Sequence, residues 1–280
     1  MSSSTTTTGH PVPTSPVEPT AECKSMDEPP SSALSRKARL VHHFSQDVRS
    51  STFAELQLAI LTFCTGMQDA TTFPDYHCFA SNQTGNTVFL TLALILPHLN
   101  GDAFITSNIG MALGMFLGAG WLTGQLSHLI GARKRWWLVL CNLIQSLVVL
   151  GAAAVQYRHG TADRGPAALA VVGMLAFAAG SQVVQSRSLA MTEISTAMAT
   201  AAWVDLMIDQ KLFVRKNRPR TRRVVFLLAL VAGALVGALV YREVGSATAI
   251  AMSGAGKVLV TILFIFTPSQ KEETQDPSPA

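Results

Sequence analysis

The sequence predicts an all-α polytopic membrane protein, and three observations carry that reading. Apolar residues make up 49% of the 280 and charged residues 14%, with a mean hydropathy of +0.32, too apolar for an ordinary soluble domain. The apolar residues gather into eight segments, at about 54–73, 83–98, 103–125, 136–156, 166–184, 189–209, 224–241 and 246–267, and several are long enough to span a bilayer. The basic residues collect in short blocks between the segments, where they set orientation rather than attract nucleic acid.

Taken in order, residues 1–50 are rich in Ser, Thr and Pro without an apolar period, and they are expected to form a disordered tail. The same expectation holds for 269–280. The transmembrane domain is therefore placed at 51–268, with its first apolar segment acting as the targeting signal. Segment 83–98 is short, polar at its start and closed by Pro97. Segment 189–209 is interrupted by Glu193, Ser195, Thr196, Thr200 and Asp205. Both are expected to be broken or re-entrant.

Three basic blocks decide the topology: Arg36, Lys37, Arg39 and Arg49; Arg133, Lys134 and Arg135; and Lys211 through Arg223. Eight full crossings would put the middle block on the opposite side from the other two. If segments one and two make a single net crossing, and segments five and six another, all three blocks share the cytoplasmic side. The prediction is six net crossings with both termini cytoplasmic.

Two halves of three crossings must run in opposite directions, and the sequence holds echoes of such an inverted repeat, with halves placed at about 51–130 and 131–268. Gly66-Met-Gln68 is matched by Gly180-Ser-Gln182, and Thr84-Gly-Asn-Thr-Val-Phe-Leu90 by Thr200-Ala-Ala-Trp-Val-Asp-Leu206. Downstream, Gly114 and Gly118 are matched by Gly233 and Gly237. Gly110, Gly114 and Gly118 fall on one face, as do Gly233 and Gly237, which permits close helix packing. These two helices are expected to meet near a pseudo-symmetry axis or to form a homodimer contact.

The stretch Gly66–Leu90 sets Gln68, Asp69, Asn82, Gln83, Thr84 and Asn86 between two apolar runs, where each unpaired polar group is costly. Either they bond one another and neighbouring helices, or they line a site for a ligand or ion. Gly66-x-Gln68-Asp69-Ala70, Phe79 and Asn82-Gln-Thr-Gly-Asn86 resemble the signature of the DUF1275 family, also called YoaK-like (UPF0700) membrane proteins, in a fungal-type member. The resemblance runs from about residue 50 to 268 and implies a polytopic membrane protein of undefined function. The second half departs from the family pattern, with Gln182-Val-Val where Gln-Asn-Ala is expected.

Broken helices in matching positions are the architecture of many secondary transporters, with sites near the midplane. On that reading the stretches 66–86 and 180–206 face each other. The candidate substrate- or ion-binding residues are then Gln68, Asp69, Asn82, Thr84, Asn86, Gln182, Gln185, Arg187 and Thr200. Asp69 is the strongest of them, as an intramembrane carboxylate suited to exchanging a proton; the structural alternative is a salt bridge to Arg187 or a hydrogen bond to Thr or Asn. The leading expectation is a small-solute transporter or permease, proton-coupled. The alternative is a non-transporting scaffold or ligand sensor that uses its basic loops for partners.

Other functions find little support in the residues. Cys23, Cys64, Cys78 and Cys141 form no CxxC and have no histidine at metal-ligand spacing, so neither a metal site nor a cofactor is expected. No His-Glu-x-x-His, Gly-x-Ser-x-Gly or phosphate-binding glycine loop occurs, and His77 and Cys78 are isolated; an enzyme is not expected. Asn82-Gln-Thr84 matches a glycosylation sequon but lies inside the signature stretch. Trp136 and Trp137 read as an interfacial belt. The Lys211–Arg223 run suits anionic lipid, though orientation alone explains it. The partners expected are the bilayer and a small solute, without nucleic acid.

Overall fold

A computed structural model describes residues 36–101, 103–191, 194 and 196–268. The expected tails up to residue 35 and from 269 lie outside these, as do Glu193 and Ser195. A leading unit ends at Arg39, and the folded body begins at Leu40, ahead of the boundary at 51 that composition suggested. The chain is already helical in α1 (Arg36–Ser45), and His43 has partners in the body. The Arg135 guanidinium meets the His43 ring at 2.6 Å, and the Val48 N–H donates to the Arg133 carbonyl at 2.9 Å.

Eight helices follow: α2 (Thr52–Tyr76), α3 (Gln83–Ile95), α4 (Thr106–Ile130), α5 (Arg135–His159), α6 (Pro166–Ser188), α7 (Ala199–Met207), α8 (Arg218–Glu243) and α9 (Ser246–Ile265). Their boundaries follow local chemistry. Ser51 caps α2 by accepting from the Ala54 N–H, and Asn217 caps α8 by accepting from the Arg220 N–H. Pro166 opens α6, where its missing N–H has no partner to lose. Among the described residues, α4, α5, α6, α8 and α9 are long and apolar enough to cross a membrane. At 25 residues α2 has the same reach, roughly 37 Å, but carries more polar side chains.

Hydrogen bonds between helix ends fix the direction of each long helix. At one end, Asn108 donates to the carbonyls of Tyr76 (2.9 Å) and Asp163 (2.8 Å). There too, Gln156 donates to Asp75 (2.8 Å) and Ser246 (2.5 Å). At the other end, Arg133 donates to the Ser188 carbonyl (2.9 Å), Arg218 pairs with Glu55 (2.9 Å), and the Arg49 N–H meets the Pro268 carbonyl (3.1 Å). The six long helices therefore alternate in direction. α3 returns to the Tyr76 end and α7 to the end carrying the basic blocks. Segment 189–209 is helical only in α7, because Ala190 and Thr196 take left-handed backbone angles while Leu189, Met191 and Ile194 anchor in the core.

A division at residue 130 leaves two long helices before it and four after. One expectation needs correction: α4 and α8 do not pair through their glycines, because α4 packs on α6, and α8 on α2. A Cβ on Gly233 would run into the Phe63 carbonyl, and one on Gly237 would press on the Met67 backbone. On the α4 side it is Gly180 of α6 that lies against the Phe116 carbonyl, whereas Gly110, Gly114 and Gly118 face open space. Overpacking sets the consequence. Gly180→Val and Gly233→Val are expected to destabilise by about 1–3 kcal/mol or more, against about 0.5 kcal/mol or less for Gly114→Val in the monomer, read from thermal unfolding in detergent.

The core forms two apolar clusters. One holds Tyr76, Ile109, Val149, Val172, Leu175 and Ile250; the other holds Leu58, Leu61, Leu138, Leu189, Val260 and Phe264. Polar residues interrupt four helices between them.

A candidate site in the polar layer

On α2, Thr65 and Gln68 fall between Leu61 of one cluster and Tyr76 of the other. Asn142, Gln145 and Ser146 fall likewise between Leu138 and Val149 on α5, and Ser181, Gln182 and Gln185 between Ala178 and Leu189 on α6. On α9, Ser253 and Lys257 lie between Ile250 and Val260. All of these side chains are buried. The result is a polar layer midway along the bundle, closed at each end by apolar packing.

Lys257 is its centre. The side chain has no exposed surface, and the ammonium donates to the Gln182 side-chain carbonyl and, at 3.5 Å, to that of Gln145. Among the described residues no carboxylate meets it. The two amides on it, Gln182 and Gln145, turn their oxygens inward and their nitrogens outward. Gln182 donates to Thr65 (2.9 Å), which donates to the Leu61 carbonyl (3.0 Å). Gln145 donates to Gln185 (3.0 Å) and Ser181 (3.1 Å), and Gln185 donates to the Leu138 carbonyl (2.8 Å). Among the described residues, amide dipoles are what meet its charge. Two neighbouring pairs complete the layer: Gln68 donates to Ser253 (2.6 Å), and Asn142 donates to Thr261 (2.8 Å) and to the Lys257 carbonyl (2.9 Å).

Of the residues singled out from sequence, only Gln68, Gln182 and Gln185 lie in this layer. Asp69 spends both carboxylate oxygens on Ser81, accepting from its N–H (2.9 Å) and its hydroxyl (2.5 Å). Asn86 is buried and bonds Phe79 twice, donating to its carbonyl (2.7 Å) and accepting from its N–H (2.9 Å), and also donates to Gln83 (2.9 Å). Together these fasten the loop 77–82, which carries Phe79 onto Phe73 with ring centroids 4.7 Å apart. Asn82 is exposed and caps α3 through the Gly85 N–H (3.4 Å), and Thr84 is exposed beside it. Arg187 and Thr200 are exposed at the basic end, where Arg187 meets the Met198 sulfur (3.1 Å).

The two polar breaks thus sit at opposite ends of the bundle rather than facing each other, and Arg187 lies far from Asp69. Lys257, Gln145, Asn142 and Ser181 escaped the sequence reading. The available signal was a lone lysine deep in segment 246–267, since an ionisable residue inside an apolar span is a functional candidate. Among the described residues no three His, Cys, Asp or Glu side chains are grouped as metal ligands would be.

The loop at Asn86 makes a test. Asn86→Ala strands the Phe79 backbone groups and is expected to lower stability by about 1–3 kcal/mol. Asp69→Asn keeps an acceptor for the Ser81 N–H and is expected to cost less. Thermal unfolding in detergent gives the order; the reverse order would show that Asp69 is more than a loop fastener.

A family model described as "Protein of unknown function (DUF1275)" matches residues 57–263. No curated protein and no solved structure matches the chain.

Proposed function

This chain belongs to the DUF1275 family, and on that premise we propose that it is a membrane permease for a small solute, built as two inverted halves around the Lys257 layer. One observation carries the proposal: a buried ammonium and its amides lie midway between two apolar closures, contributed by α2, α5, α6 and α9. A polar core used only to hold helices together needs no charge. A lysine buried away from any carboxylate costs stability, and it is readily understood as a group held for a passing solute or proton.

The helix pairing supports the inverted repeat. Exchanging α2, α3, α4 and α5 for α6, α7, α8 and α9 turns the pairing of α2 with α8 into that of α6 with α4. It likewise turns α2 with α9 into α6 with α5, and returns α5 with α9 to itself. The sequence echo falls in place, because Gly66 lies against α8 and Gly180 against α4. Matching helices run in opposite directions. With α3 and α7 each returning to the end it left, the chain makes six crossings. Arg49, Arg133 and Arg218 lie at one end, which the preference of basic residues assigns to the cytoplasm, so the body starts and finishes there.

Proton coupling passes from Asp69 to Lys257 on this reading, because the lysine is the ionisable group inside the layer. Purified protein in proteoliposomes should give protein-dependent uptake of at least one solute from a radiolabelled panel of anions, cations, sugars and amino acids. Gln182→Leu should reduce that flux by about tenfold or more, as expected for losing a hydrogen bond to a charged group. Impermeant labelling of single cysteines at positions 132 and 216 should report the same side. No flux from any solute, with a protein partner bound stably at the loop 208–217, would favour a scaffold instead; labels on opposite sides would overturn the six crossings.

A further inference from the structure

We propose that the Lys257 centre binds a small anion, a carboxylate or an inorganic ion, which replaces the Gln182 and Gln145 oxygens on the ammonium. The inference rests on reading that centre as the solute site and adds the sign of the solute's charge. Four observations lead to it. Lys257 is fully buried, and its partners among the described residues are two neutral amides. The layer supplied by α2, α5, α6 and α9 is otherwise Gln, Asn, Ser and Thr, so its formal charge is that of the lysine alone. The other buried cation in the bundle, Arg135, lies at the basic end and is held by His43 and the Thr267 carbonyl (2.5 Å), so it does not offset or share the central charge. Among the described residues, five carboxylates of the bundle are engaged elsewhere: Asp69 with Ser81, Asp75 with Gln156, Glu55 with Arg218 and Arg222, and Asp205 and Asp209 with Arg223.

A cation entering this layer would meet a like charge in low dielectric, and a neutral solute would leave the ammonium as it found it. An anion converts an isolated buried charge into a pair. The surrounding groups fit that exchange. Gln182 and Gln145 are flexible side chains whose oxygens can swing off the ammonium, and their N–H groups, together with the Ser181 hydroxyl, then supply donors to a second oxygen of the anion. No backbone carbonyl needs to move.

The test is thermal unfolding of the purified full chain in detergent at constant ionic strength, with chloride, acetate or inorganic phosphate as probes and methylammonium as the cationic control. At least one anion should raise the melting temperature saturably, and methylammonium should not. Which anion acts separates a carboxylate site from an inorganic-ion site. Lys257→Arg should keep the response and Lys257→Met should weaken the apparent affinity by about tenfold or more, the scale of a lost charge-assisted hydrogen bond. Gln182→Glu guards against a mere folding defect. Its carboxylate would pair with Lys257 from within, so this variant should melt higher than wild type and respond to no anion.

A wild-type chain that responds to no anion, or to methylammonium, overturns the proposal, and so does an anion response that survives Gln182→Glu unchanged. The two readings fail separately. Anion binding without flux in proteoliposomes would sink the permease and leave the anion site standing, whereas flux of a neutral or cationic solute without anion binding would do the reverse.

Discussion

One ammonium buried among amides constrains the rest of this structure. Lys257 cannot be left without acceptors in a bundle of apolar helices, and the acceptors it finds come from α5 and α6. Those amides must in turn place their N–H groups: that of Gln182 reaches Thr65 on α2, and that of Gln145 reaches Gln185, whose own N–H ends on the Leu138 carbonyl of α5. Four helices are thereby tied through one charge, each satisfied group passing its requirement to the next. The polarity of the network runs outward from the lysine and ends on backbone carbonyls.

Amide side chains are short, so this network requires helices that approach closely. Glycine supplies the approach at two interfaces, Gly180 against the Phe116 carbonyl and Gly66 with Gly233 and Gly237 between α2 and α8. Near the centre, Gly256 leaves room for the Cys64 sulfur beside Lys257. The two helices differ in their use of the device: Gly233 and Gly237 of α8 are spent inside the bundle, while Gly110, Gly114 and Gly118 of α4 point away from it. The ends of the bundle are held by different means. Ion pairs of Glu55 with Arg218 and Arg222 tie α2 to α8 at the basic end, and hydrogen bonds of Asn108 and Gln156 close the other.

Much of the fold was legible because hydropathy reports directly on which segments form long apolar helices. Seven of the eight segments correspond to helices within a few residues, and the polar start of α3 and the interruptions before α7 mark the two short elements. The site was less legible. The signature stretch concentrates polar residues and so draws the reading to Asp69 and Asn86, yet those residues are partnered within a dozen positions, by Ser81 and Phe79, and hold a loop. The residues of the layer are scattered singly over four helices, and their partners lie from 36 to more than 180 positions away. Periodicity cannot report such pairings. Gln182 and Gln185 were visible as polar positions on helical spacing, and Lys257 as a lone charge in an apolar run, but only the folded chain shows that they meet.

The central claim is that the Lys257 layer opens in turn to each side of the membrane, and Cys64 is the natural reporter. It is buried, with 1% of its surface exposed, and its sulfur lies against Gly256, next to the lysine. With Cys23, Cys78 and Cys141 replaced by alanine, impermeant thiol reagents applied to oriented vesicles from one side and then the other measure access to the layer directly. The account predicts slow labelling of Cys64 from both sides. Labelling from neither side, in a protein shown to be folded and correctly inserted, would mean that the layer stays closed and that its charge serves the fold alone.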